Sequence, residues 1–155
     1  MFVHILLPVS DTDNISLHDH LIDEILFQGD DILLIFFNGF DVIKTHPLNG
    51  TGKSKHTSKA QIILKCAKFA TGIAHSPQNE KREVDISNFT SQFSGFEVLD
   101  HKVENKKLIL SGNLHANPVS LFEYTELSFY YADIIFCWND YTTDAWFECY
   151  PSHKQ

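Results

Sequence analysis

Three consecutive residues near the start of the chain, His18, Asp19 and His20, have side chains suited to metal chemistry. On a β-strand both imidazoles would point to the same face, a spacing that a zinc or iron site can use. His4, His101 or a carboxylate would then have to complete the ligand set. The structural alternative is that His18 and Asp19 hydrogen-bond the backbone where a loop enters a strand. Because that alternative needs no missing ligands, the metal site is our second hypothesis.

Motifs for other kinds of catalysis are incomplete. Residues 47–54, PLNGTGKS, look like a phosphate-binding loop, but proline replaces the first glycine and the residues that follow do not predict a helix. No G-x-S-x-G nucleophile motif occurs. Cys66, Cys137 and Cys149 are far apart and odd in number, which predicts reduced thiols. We therefore predict no catalytic residue and no cofactor, and the balance is against an enzyme.

Aromatic residues are more numerous than one face of a small sheet must bury, with 13 Phe, 5 Tyr and 2 Trp. Some of them should therefore be exposed, unless both faces of the sheet are covered. Towards the end of the chain they alternate with carboxylates, and tryptophan and tyrosine are frequent anchors of protein interfaces. The residues predicted to bind a partner are Trp138, Asp140, Tyr141, Asp144 and Trp146.

The charge of the chain restricts the class of partner. A formal net charge of -8 repels nucleic-acid phosphates and anionic membranes. The first residues lack the basic region of a secretory signal, and no run approaches the roughly 20 apolar residues that span a bilayer. We expect a cytoplasmic protein that binds neither nucleic acid nor membrane and has a basic protein as its partner. The oligomeric state stays open.

Apolar and aromatic runs separated by turn residues predict mainly β structure. The longest, residues 127–150, predicts a strand, a turn and a returning strand. Asn38-Gly39 predicts a tight hairpin turn. The single predicted helix spans residues 85–95, with Asp85 as its N-cap and Gly95 as its end. The other predicted elements are an edge strand, or a segment covering one, at 2–9, a three-stranded meander at 20–43, a strand favoured over a helix at 60–70, and a hairpin at 96–114.

Together these elements predict a single domain over residues 1–155, a length sufficient for one hydrophobic core. We expect a mainly β fold in which a curved antiparallel sheet forms a barrel or a sandwich of meander hairpins, with one short helix.

Two segments resemble a known kind of protein. Residues 18–42, HDHLIDEILFQGDDILLIFFNGFDV, and 128–148, SFYYADIIFCWNDYTTDAWFE, are similar to small β-rich bacterial domains of unknown function in which a His-Asp pair begins a meander. Some domains of this kind are associated with toxin immunity. The resemblance implies a binding role and no active-site residues.

The leading functional hypothesis is a non-catalytic protein-binding module that uses an acidic and aromatic surface. The most specific version of this hypothesis is a protein similar to toxin-immunity proteins. The alternative is a β-barrel that binds a small molecule or a metal ion at a site centred on His18, Asp19 and His20. This alternative includes an enzyme that acts at the same site. A third hypothesis is self-association through exposed strand edges.

Overall fold

The computed structural model describes residues 4–5, 14–116 and 122–149, and most of them lie in strands. The strands form three antiparallel sheets and, within the described residues, no closed barrel. The mainly β prediction with one short helix is therefore confirmed. In chain order the elements are β1 (His4–Ile5), β2 (Ile15–Ser16), β3 (His20–Ile22), β4 (Glu24–Gln28), β5 (Asp31–Phe36), β6 (Asp41–Val42), β7 (Lys55–Thr57), β8 (Ala60–Lys65), β9 (Lys68–His75), β10 (Lys81–Glu83), α1 (Phe89–Gln92), β11 (Phe93–Glu104), β12 (Lys107–Ala116), β13 (Phe122–Tyr130), β14 (Asp133–Trp138), β15 (Tyr141–Asp144) and a 3₁₀ helix (Trp146–Cys149).

A five-stranded sheet has the order β1-β14-β8-β5-β4. Its central strands are rich in isoleucine and leucine, and alternate side chains are buried, as the pleat of a sheet requires. Pairing of Leu34 with Ile62, and of Ile62 with Phe136, aligns the buried residues across three strands. This sheet provides one inner wall of the core.

A six-stranded sheet has the order β10-β9-β13-β12-β11-β3. Its buried side chains join those of the five-stranded sheet in one hydrophobic core. At one edge the short strand β3 covers part of the much longer β11, with His20 opposite Val98. The four-stranded third sheet, which we call the small sheet, has the order β15-β7-β6-β2. None of the described helices is long and apolar enough to cross a membrane.

The predicted strand-turn-strand unit at residues 127–150 is divided between all three sheets. The chain bends at Tyr131 and Ala132, whose amides donate to the carbonyls of Lys106 and Lys65. This bend carries the chain from β13 in the six-stranded sheet to β14 in the five-stranded sheet. β15 pairs with β7 instead of β14, and a 3₁₀ helix replaces the predicted returning strand. The pairing prediction was wrong because distant strands supply the partners.

Two further predictions need correction. In the meander at residues 20–43, β4 and β5 form the expected hairpin, but β6 pairs with β2 and β7. The helix predicted for residues 85–95 is limited to Phe89–Gln92, because the chain enters β11 at Phe93. The Asp85 carboxylate accepts a hydrogen bond from the Ser87 amide and so forms a local turn.

One local prediction is confirmed in full and two are confirmed in part. The hairpin at residues 96–114 forms from β11 and β12, and Asn105 and Lys106 both adopt positive φ in its turn. Residues 60–70 lie in β8 and the start of β9, with a turn between them. In the predicted edge strand at 2–9, β1 pairs with β14 at the edge of its sheet, and the remaining residues lie outside the described part of the chain.

Candidate functional site

Exposed aromatic side chains follow one face of β13. Phe122 is 62% exposed, and Tyr124 and Tyr130 are about half exposed. They occupy alternate positions of the strand together with Glu126 and the buried Ser128, so they share one face of the sheet. The intervening residues Leu127 and Phe129 are buried. We call this surface, with its cross-strand neighbours on β9, β11 and β12, the outer face.

The neighbouring strands add aromatic rings and carboxylates to the outer face. His75 lies opposite Tyr124 with the ring centroids 6.0 Å apart, and His115 stacks on Phe122 at 5.7 Å. Beside Phe122 and Tyr124 is a cleft of about 410 Å³, also lined by His75, Ser76, Pro77 and Asn79. Glu126 and Asp100 are both exposed, and both lie opposite Ser111, one on each side of β12. The outer face therefore has Phe122 and Tyr124 at one end, carboxylates in the middle, and Tyr130 with Lys107 over its ring at the other end.

The five residues predicted to bind a partner do not form one surface. Trp138 is 1% exposed and packs in the core, with its ring 6.3 Å from that of Phe40. Asp144 forms ion pairs with Lys55 and Lys53 at 2.5 and 3.5 Å. Tyr141 stacks on Trp138 and is only partly exposed, whereas Asp140 is exposed and Trp146 is 51% exposed. Trp138 is too deeply buried to belong to a binding surface. Lys53 and Lys55 neutralise the negative charge of Asp144.

A buried carboxylate defines a second candidate site. Asp41 is 1% exposed and stands in β6 between Phe40 and Val42, which are fully buried. A buried ionised carboxylate is costly unless it is paired and hydrogen-bonded. Both oxygens of Asp41 have such a partner: His20 Nε2 donates to Oδ2 at 2.9 Å and His56 Nδ1 donates to Oδ1 at 2.8 Å. We call these three residues the His-Asp-His cluster.

Three strands position the His-Asp-His cluster. Asp41 and His56 are paired residues of β6 and β7 in the small sheet, whereas His20 comes from β3 at the edge of the six-stranded sheet. The second nitrogen of His56, Nε2, donates to the carbonyl oxygen of Asn38 at 2.6 Å. That carbonyl belongs to the turn before β6, so the turn fixes the orientation of the ring.

The cluster changes the proton affinities of its members. Burial alone would raise the pKa of Asp41, but hydrogen bonds from His20 and His56 outweigh burial and lower it below the usual value. The hydrogen bond to Asp41 raises the pKa of His56 above its usual range, although burial acts in the opposite direction. The two directions agree, because each charged form stabilises the other.

Of the predicted metal ligands His18, Asp19 and His20, only His20 belongs to the cluster. Asp19 has a φ of 65°, and a turn from Leu17 to His20 replaces the expected strand. His18 is exposed and its Nδ1 lies 2.6 Å from the carbonyl oxygen of Leu99, the kind of backbone contact that the structural alternative proposed. The two histidines therefore have different surroundings.

Asp41 and His56 were not among the residues predicted from the sequence. Asp41 had a detectable signal, since it is a lone carboxylate in the apolar run Phe40-Asp41-Val42 and a buried charge needs a partner. His56 had none, because its place opposite Asp41 depends on strand pairing across a loop.

The fold and both sites define an antiparallel β protein with an exposed aromatic face and a buried ionic cluster. Comparison of the chain with protein-family models, with curated proteins and with solved structures finds no match. The side chains themselves therefore indicate the function.

Proposed function

We propose that the protein is a non-catalytic binding domain whose outer face docks a basic protein. The observation that carries the proposal is the exposure of Phe122, Tyr124 and Tyr130 on the same side of β13. Large rings that remain in water gain free energy when a partner covers them, and such residues dominate the affinity of many interfaces. The ring contacts with His75 and His115 restrict the rings before binding and so lower its entropic cost.

Charge supports the choice of a basic partner. Glu126 and Asp100 are exposed near the aromatic residues, and the whole chain carries a net charge of -8. Opposite charge on a partner would steer the encounter and exclude acidic competitors. The same charge opposes nucleic acid as a ligand of these rings.

The test is capture of partners from a lysate of the protein's own host, followed by native mass spectrometry. The informative variant carries Phe122→Ser and Tyr124→Ser, which remove two exposed rings without opening the core. The matched control is Phe27→Ser, because Phe27 is about half exposed but lies on β4 in the other large sheet. We expect a basic protein at fixed stoichiometry with the wild type and the control, and its loss with the double variant.

Retention of the same protein by the double variant would show that the outer face is not the interface. An acidic partner, or a small molecule alone, would contradict the proposed class of partner. For the expected complex the association rate should fall as salt rises beyond physiological ionic strength, where charges are screened over about 8 Å.

A further inference from the structure

The ligand atoms of the His-Asp-His cluster converge on one point. His20 Nε2, a carboxylate oxygen of Asp41 and His56 Nδ1 all lie within 4.8 Å of one another. In a tetrahedral zinc site with bonds of 2.0–2.1 Å, neighbouring ligand atoms are roughly 3.3 Å apart. His20 Nε2 is 2.9 Å from Asp41 Oδ2 and His56 Nδ1 is 2.8 Å from Asp41 Oδ1, so whichever oxygen coordinates, one nitrogen is already close to that spacing. The wider separation needs to close by at most about 1.5 Å, which small side-chain rotations achieve.

The surroundings of the cluster fit a metal site as well. A metal-binding histidine usually donates its other ring nitrogen to a carbonyl or a carboxylate, and His56 Nε2 donates to the carbonyl of Asn38. This contact leaves Nδ1 as the nitrogen that faces Asp41. Asp41 itself is fixed by the pairing of β6 with β2 and β7. The central ligand and one ring are therefore held in place by the backbone.

The histidine side of the cluster is the side nearer to solvent. The side chains of His20 and His56 are 13% and 26% exposed, whereas that of Asp41 is 1% exposed. An ion arriving from solvent would thus meet the two rings first and the carboxylate behind them. Three protein ligands leave at least one coordination position for water, as in open zinc sites.

We propose that His20, Asp41 and His56 form a binding site for one divalent first-row transition-metal ion, with water completing the coordination. Binding releases to solvent the protons that His20 Nε2 and His56 Nδ1 donate to Asp41, so that both nitrogens coordinate the ion through their lone pairs. Two imidazole nitrogens and one carboxylate oxygen suit Zn²⁺, Co²⁺, Ni²⁺ or Fe²⁺. Ca²⁺ and Mg²⁺ are unsuitable because they prefer oxygen ligands throughout. The bound ion joins β3 of the six-stranded sheet to β6 and β7 of the small sheet, so it links two sheets that share no strand pairing within the described part of the chain.

The first test is titration of the metal-free protein with Co²⁺, whose visible absorption reports its coordination, followed by displacement with Zn²⁺. His20→Gln removes one ligand, and His18→Gln is the matched control because His18 lies two residues away in the same turn but outside the cluster. We expect one ion per chain. His20→Gln should weaken binding at least about 100-fold, beyond the roughly 10–100-fold typical of outer-shell partners, and His18→Gln should leave the affinity unchanged.

The second test needs no variant and therefore does not depend on a variant that folds. Zn²⁺ is added to the wild-type protein labelled with ¹⁵N in its histidines, and the ring nitrogens are followed by NMR. We expect His20 Nε2 and His56 Nδ1 to shift on binding, while His56 Nε2 keeps its proton and His18 does not respond. Failure to bind one ion per chain, equal losses in both variants, or shifts confined to other histidines would overturn the proposal.

Discussion

At the scale of single residues, Asp41 places a buried carboxylate in the small sheet. Its carboxylate lies between two fully buried apolar residues, and the cost of that position is offset by hydrogen bonds from His20 and His56. Removing one partner from a buried ion pair typically costs about 3–5 kcal/mol, because the remaining charge stays buried. Substitution at any of the three positions therefore affects both folding and ion binding.

The cluster should make stability depend on pH in a defined direction. Because the pKa of Asp41 is lowered, its contribution is present above the unfolded value near 3.9 and is lost as the pH falls through the folded pKa. Because the pKa of His56 is raised, its contribution is complete below about pH 6.5 and is lost as the pH rises through the folded pKa. We expect the full contribution between about pH 4 and 6.5.

Urea unfolding between pH 5 and pH 9 in the presence of a chelator checks this expectation. The free energy of unfolding of the wild type should fall above about pH 6.5, and His56→Gln should flatten that decrease. His75→Gln, on the outer face and outside the cluster, is the control that should keep it. An equal decrease in the wild type and in His56→Gln would contradict the role of His56.

At the scale of elements, two glycine turns differ in what surrounds them. Gly29 joins β4 to β5 and Gly39 precedes β6, and their φ values are 62° and 75°. A Cβ atom at Gly39 would lie 2.2 Å from the carbonyl oxygen of Ser58, whereas a Cβ at Gly29 would meet nothing within 4 Å. Gly39 is therefore required both for its conformation and for the close approach of the chain next to β7.

Substitution of each glycine by alanine separates these two requirements. Gly29→Ala should cost about 1–2 kcal/mol, the strain of a left-handed residue with a Cβ. Gly39→Ala should cost about 1–3 kcal/mol more, because backbone atoms must move to relieve the overlap. The free energy of unfolding in urea measures both effects. Equal losses in the two variants would mean that the approach to Ser58 is not a constraint.

The same two turns illustrate which elements could be predicted from the sequence. Gly29-Asp30 and Asn38-Gly39 give similar local signals, and only the first forms a hairpin between adjacent strands. Where the partner strand is the next in sequence, as in β11 and β12, local turn residues were sufficient. The change of sheet at Tyr131 and Ala132 has no glycine or proline to mark it.

The candidate sites also divide into features that local sequence predicts and features that depend on distant strands. An aromatic and acidic surface was predicted from composition, but its assignment to residues 138–146 depended on which face of each strand is buried, and pairing with β8 decides that for Trp138. His20 was recognised from its neighbours in sequence. Asp41 and His56 reach it only through the arrangement of the six-stranded and small sheets, which local patterns do not encode.

At the scale of the whole molecule, the two tryptophans of the chain have opposite roles. Trp138 lies on the inner side of the five-stranded sheet. Its ring contacts Phe40, which precedes β6, and Tyr141, which lies in β15 of the small sheet. Trp146 lies in the 3₁₀ helix and is 51% exposed. The core that joins the sheets therefore depends on the first and not on the second.

Replacement of each tryptophan by alanine measures this difference. Trp138→Ala should reduce the free energy of unfolding by about 3–5 kcal/mol, since it leaves a large cavity in the core. Trp146→Ala should change it by roughly 1 kcal/mol or less, as is usual for a surface residue. Urea unfolding of the two variants at one pH is sufficient. A comparable loss in both would show that Trp146 also supports the fold.

The strand order of the five-stranded sheet has a consequence for synthesis on the ribosome. β8, at the centre of the sheet, pairs with β5 as soon as both have emerged, but its other neighbour, β14, begins 68 residues after Lys65, at Asp133. At 5–20 residues per second that delay lasts roughly 3–14 s. During this interval the apolar edge of β8 has no partner in its own sheet, and such edges invite pairing with other chains. Until β14 emerges, the nascent chain therefore exposes an edge that favours aggregation and that a chaperone can protect.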